Sequence, residues 1–125
     1  MENVLFVGIG GFMGTSLRFI LGRLLVWENL NLPLTTFLIN VAGSFIIGVL
    51  NAAAIKYGMK DHAALLLLQV GFCGGFTTFS TFSLETLDLL SHGEVTRGVL
   101  YASLSVVTCV CCAALGRFIA QVAMD

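Results

Sequence analysis

Phe79 and Phe82 stand three residues apart within GFCGGFTTFSTFSLE, residues 71–85, so on a helix their rings share one face. Thr78, Thr81 and Glu85 lie close to that face. A phenyl ring carries a negative face and a positive edge. Rings turned edge-on stabilise a small anion without a full charge that would trap it, which suits a site an ion must also leave. Ahead of them, Gly74-Gly75 offers a place for a helix to loosen. Carbonyls freed at a break are ligands for a small hard cation such as Na⁺, whereas the N–H groups opening the next half-helix favour an anion. Plain packing is the competing reading of the phenylalanines. It does not explain why they alternate with Thr and Ser.

Three further stripes repeat at helical spacing. Thr36, Asn40 and Ser44 are four apart, with Gly43, Gly48 and Asn51 on or near the same face. Tyr101, Ser105, Thr108 and Cys112 form a second stripe, and Gly10, Gly14, Arg18 and Gly22 a third. Small residues at that spacing read first as a packing seam, and membrane amides first as interhelical glue. Three stripes beside a broken helix tip the reading towards a polar path. Glu85 is the one acid placed to serve a proton relay, with a surface or capping role equally open. No Ser/His/Asp or Cys/His set accompanies a plausible pocket, so enzymatic chemistry has little support. Cys73, Cys109, Cys111 and Cys112 sit in apolar stretches without the spacing of a zinc site, and read as small hydrophobes.

The elements that must position these residues are membrane spans. Of 125 residues, 58% are hydrophobic and 10% charged, with a mean hydropathy of +0.99. A soluble domain of this length needs far more polar surface. The net charge of −1 argues against a nucleic-acid partner. Apolar runs at about 4–26, 34–55, 63–90 and 95–122 each exceed the roughly 20 residues that cross a bilayer. With no basic region ahead of it, the first run is expected to remain as a span. Short connections join the runs, predicting one all-α, four-helix transmembrane domain. The third run would extend roughly 42 Å if straight, so it must tilt or break, and the expected break lies near Gly74–Thr77. A break at membrane depth is tolerated only against protein or a wet cavity.

Lysines and arginines near the span ends balance: Lys56, Lys60 and Arg117 on one side, Arg18, Arg23 and Arg97 on the other. The tie predicts insertion in both orientations. Two oppositely inserted copies would then pair about an axis in the membrane plane. A buried Arg18 that should not be counted is the alternative.

The motifs GGFMGTSLRF (residues 10–19), NVAGSFIIG (40–48) and GFCGGFTTFSTFSLE (71–85) resemble the Fluc, or CrcB-type, family of fluoride channels across essentially the whole chain. The third motif is highly specific; the glycine seam alone is weak. The resemblance implies a dual-topology homodimer in the plasma (inner) membrane, with two antiparallel pores for passive fluoride export. Phe79 and Phe82 resemble the ring pair lining the path, and Asn40 the amide meeting the ion. Ser80 and Thr81 match the hydroxyls beside the rings. Gly74 and Thr77 match the carbonyls that hold a central structural Na⁺ between subunits. Tyr101 and Ser105 resemble a polar track, in which Cys109 stands where a hydroxyl is expected. Arg18 matches a vestibule arginine, and Thr36 the threonine one turn before the asparagine. A small dual-topology multidrug or cation exporter is the alternative, although it calls for a glutamate in the first helix, where Gly14, Thr15 and Ser16 stand. An interaction subunit, its polar stripes serving only as glue, is a further rival.

Overall fold

The computed structural model describes residues 2–25, 32–59 and 62–125. Val26, residues 27–31 of the first connection and Lys60 of the charge count lie outside them. The described residues are all-helical in their regular structure: α1 (Glu2–Leu24), α2 (Leu34–Tyr57), α3 (63–76), α4 (Phe79–Ser91) and α5 (Val95–Met124). Four stretches are long and apolar enough to cross a membrane, with α3 and α4 together forming the third, Ala63–Ser91.

Local chemistry explains the ends. Pro33 precedes α2, where its missing N–H costs nothing, and its carbonyl accepts from the Phe37 N–H at 3.2 Å. Gly58 closes α2 at φ +62°, the left-handed conformation that only glycine adopts cheaply, and donates its N–H to the Ala54 carbonyl. The Thr35 hydroxyl donates to the Leu25 carbonyl, tying α2 back to the end of α1.

The helices associate as two close pairs, α1 along α3 and α2 along α5, with α4 leaning on α5. Glycine makes both pairs possible. A Cβ on Gly10 or Gly14 would collide with the Leu67 or Phe72 carbonyl of α3. On the other pair, Gly48 faces the Ala113 carbonyl and Gly116 the Phe45 carbonyl. Backbones in such contact gain packing that lipid cannot match. Gly22, the last member of the glycine stripe on α1, has open space around it and joins no seam among the described residues.

The third span departs from a simple helix twice. Leu66–Cys73 is π-helical, wider than the α-helix its apolar run predicts, and lies where α1 passes closest. The break falls at Thr77 and Thr78, at the far end of the Gly74–Thr77 stretch where the sequence places it. Gly75 instead lets α1 approach, because a Cβ there would meet the Gly11 carbonyl and Thr15.

Candidate ion pathway

Redirected backbone groups build the break. Thr77 (φ −79°, ψ 158°) and Thr78 (φ −147°, ψ 116°) are both extended. The Thr78 N–H donates to Asn40 Oδ1 at 2.8 Å, while Asn40 Nδ2 donates to the Thr78 carbonyl at 3.1 Å. One side-chain amide therefore satisfies both backbone polar groups of Thr78. The Gly75 carbonyl accepts from Arg18 Nε at 3.0 Å and from Thr15 Oγ1 at 3.4 Å. Thr78 Oγ1 accepts from the Thr81 N–H at 3.2 Å, capping α4, and donates to Thr81 Oγ1 at 3.0 Å.

Two carbonyls lose their helical donors in this arrangement. An unbroken helix would close the Thr78 N–H on Gly74, but Asn40 holds it; the Thr81 N–H would close on Thr77, but Thr78 Oγ1 holds it. Among the described residues, no backbone donor reaches the Thr77 carbonyl. These two residues are the ones the family resemblance assigns to Na⁺, and their hard, uncharged oxygens fit that ion. Among the described residues, no group of three or more His, Cys, Asp or Glu side chains could hold a metal instead.

Beside the break lies a cleft of about 340 Å³. It gathers Asn40, Gly74, Thr77, Phe79, Phe82 and Ser105 from α2, the third span and α5. No charged side chain lines it among the described residues. The Phe79 and Phe82 rings lie 5.4 Å apart at 46°, and Phe82 meets Tyr101 at 5.4 Å and 49°. Tilted rings present edges as well as faces to the space beside them. Phe79 is 77% exposed, so one chain by itself does not enclose the ring pair. Ser105 Oγ is buried with no hydrogen-bond partner among the described residues, a hydroxyl free to donate into the cleft.

One turn beyond, Glu85 is fixed by two other helices. Thr36 Oγ1 donates to Glu85 Oε1 at 2.7 Å and Tyr101 OH to Oε2 at 2.7 Å. A relay or surface role was equally open from sequence; within this chain the carboxylate joins α2, α4 and α5. Arg18, expected at a vestibule, is half-buried with its Nε on the Gly75 carbonyl. Ser80 is exposed, its Oγ 3.4 Å from Thr78 Oγ1. On α5 the cleft is reached by Ser105 and Cys109, not by Thr108 or Cys112 of the predicted stripe. Gln69 also lines the cleft. Sequence reading passed over it, although a lone amide inside LLLLQVGF is the kind of intramembrane polar group that marks a path.

A family profile described as CrcB-like protein, Camphor Resistance (CrcB), matches residues 5–117. The chain belongs to the CrcB family. Among CrcB relatives, the fluoride-specific ion channel FluC of Methylobacterium radiotolerans is 43% identical over 91% of this chain and 81% of its own length. That of Chlorobaculum tepidum is 39% identical over 97% of this chain and 96% of its own. That of Methanococcus aeolicus is 34% identical, covering 94% of each. These CrcB relatives are ion channels and not enzymes. Together with four long apolar helices, membership makes the chain a multi-pass membrane protein.

Proposed function

We propose that the chain is a fluoride-selective channel of the plasma membrane, which passively exports cytoplasmic fluoride through two antiparallel pores of an inverted homodimer. The observation that carries the reading is the cleft, without a charged lining residue among those described, that gathers the tilted Phe79 and Phe82 rings, Asn40 and a Ser105 hydroxyl with no partner among the described residues. Fluoride is small and strongly hydrated, so it gives up water only for several close donors. O–H, N–H and ring-edge hydrogens supply these without a fixed positive charge that would hold the ion. Fluoride enters cells from acidic surroundings as the neutral acid and dissociates inside, so a passive pore suffices to release it.

The reading includes a structural Na⁺ between the two copies, held by the carbonyls of Gly74 and Thr77 from each. Bound there, the ion supplies a positive centre that satisfies four carbonyls no helix completes. Replacing sodium by N-methylglucamine should lower the melting temperature of the purified dimer by several degrees. An unchanged melting curve would count against the ion.

A multidrug exporter is the weaker reading, because no carboxylate lines the cleft among the described residues and Glu85 is occupied by two hydroxyls. The deciding measurement is efflux from liposomes containing only this protein. Fluoride should leave rapidly and chloride should not. Retention of fluoride at the rate of protein-free vesicles would end the channel reading.

A further inference from the structure

The cleft beside Phe79 and Phe82 is not the end of the groove between α2 and α3. A second cavity of about 240 Å³ is lined by Asn51, Ala54, Ile55, Leu65, Gln69 and others, and Gln69 lines both cavities. On α2 the lining positions Asn40, Ser44, Ile47 and Asn51 recur at steps of four, three and four, so they mark one continuous face. From Asn40 to Asn51 that face covers about 16 Å, roughly half the hydrocarbon thickness. The two cavities therefore follow one line along α2, with Gln69 at the junction.

The amides differ in how they are held. Asn40 is bonded on both sides to Thr78. The side chains of Asn51 and Gln69 receive no hydrogen bond from the described residues, and both are half-buried. An amide left without partners at membrane depth is costly, so these two must meet water, an ion or another chain. The surrounding lining is aliphatic and carries no carboxylate among the described residues, while each amide offers two N–H donors. Neutral donors spaced along an apolar wall bind an anion weakly at successive points, as conduction requires.

We propose that Gln69 and Asn51 form a second subsite for a small, partly hydrated anion, linking the Phe79–Phe82 cleft to the membrane boundary at the Gly58 end of α2. It rests on the channel reading above and extends the path by a stretch built only from amides. An intersubunit hydrogen bond is the competing use of the same side chains.

The test compares near-isosteric charge with simple loss in liposome efflux at pH 8.5. Gln69→Leu removes the donors; Gln69→Glu keeps the shape but presents only acceptors to the anion. Fluoride efflux should fall severalfold in Gln69→Leu and at least tenfold further in Gln69→Glu, with both proteins eluting as the parent assembly. Asn51→Leu and Asn51→Asp should rank in the same order. A glutamate or aspartate variant that conducts as fast as its leucine counterpart overturns the proposal. So do equal losses accompanied by a broken assembly, which would make the amides an intersubunit contact. A parent that passes no fluoride sinks the channel reading itself, whereas a conducting parent beside an equally conducting Gln69→Glu overturns the second subsite alone.

Discussion

Phe79 and Phe82 bring tilted rings to the cleft where Ser105 brings a hydroxyl. Isoleucine keeps a hydrophobe of moderate volume and removes the positive edge. At a packing cost of about 1–2 kcal/mol, Phe79→Ile and Phe82→Ile should still assemble. Their fluoride efflux should drop at least tenfold; full-speed flux through both would show that the rings only pack. Asn40 carries a different burden, because its amide both donates to and accepts from Thr78. Asn40→Asp retains the acceptor for the Thr78 N–H but turns a second acceptor on the Thr78 carbonyl. The lost bond and the opposed oxygens should cost about 1–3 kcal/mol. Thermal unfolding in detergent should register that loss, and efflux should fall in parallel. A variant as stable as the parent would show that the Asn40–Thr78 pair does not hold the break.

Between elements, the contact of α1 with α3 depends on the absence of side chains. Gly14 faces the Phe72 carbonyl so closely that a methyl group has no room, and the obstacle is backbone, which cannot rotate away. Gly14→Ala must push the helices apart, at about 1–3 kcal/mol. Gly22→Ala meets open space and should gain up to about 1 kcal/mol of helix propensity. Melting of the two purified variants separates these outcomes. Equal stabilities would mean that the stripe is not read by α3. The seam matters for the site because Arg18 and Thr15, on the same helix, reach the Gly75 carbonyl just before the break. A shift of α1 should therefore appear in efflux as well as in stability.

For the whole molecule, the surface of a single chain is informative. Phe12, Phe19, Val110 and Phe118 are all more than 60% exposed, as lipid or a second copy would demand. The charge balance between Lys56, Lys60 and Arg117 and Arg18, Arg23 and Arg97 supports two inverted copies. A reporter fused to the C-terminus should be active on both sides of the membrane. Adding two lysines to one side should bias the population to a single orientation and, if the proposed inverted dimer is the conducting form, depress efflux by starving it of one partner. One fixed orientation for every parent copy would rule out the antiparallel pair.

Spans and stripes were legible in the sequence because both depend on local geometry alone. About 20 apolar residues cross a bilayer wherever they occur, and residues four apart share a helix face whatever that face meets. Tertiary structure decided the rest. The sequence places the break near Gly74–Thr77, and the helix opens at Thr77–Thr78 because Asn40, 38 positions earlier in the chain, offers a donor and an acceptor at that height. Glu85 reads from sequence as a relay, surface or capping residue; Thr36 and Tyr101, from two other helices, converge on it. Gln69 stands outside the three polar stripes, and the packing of α2 against α3 is what sets it beside both cavities. Periodicity specifies which face a residue occupies. Which distant group completes its hydrogen bonds is fixed only when the helices pack, since a donor and acceptor must meet within about 3 Å.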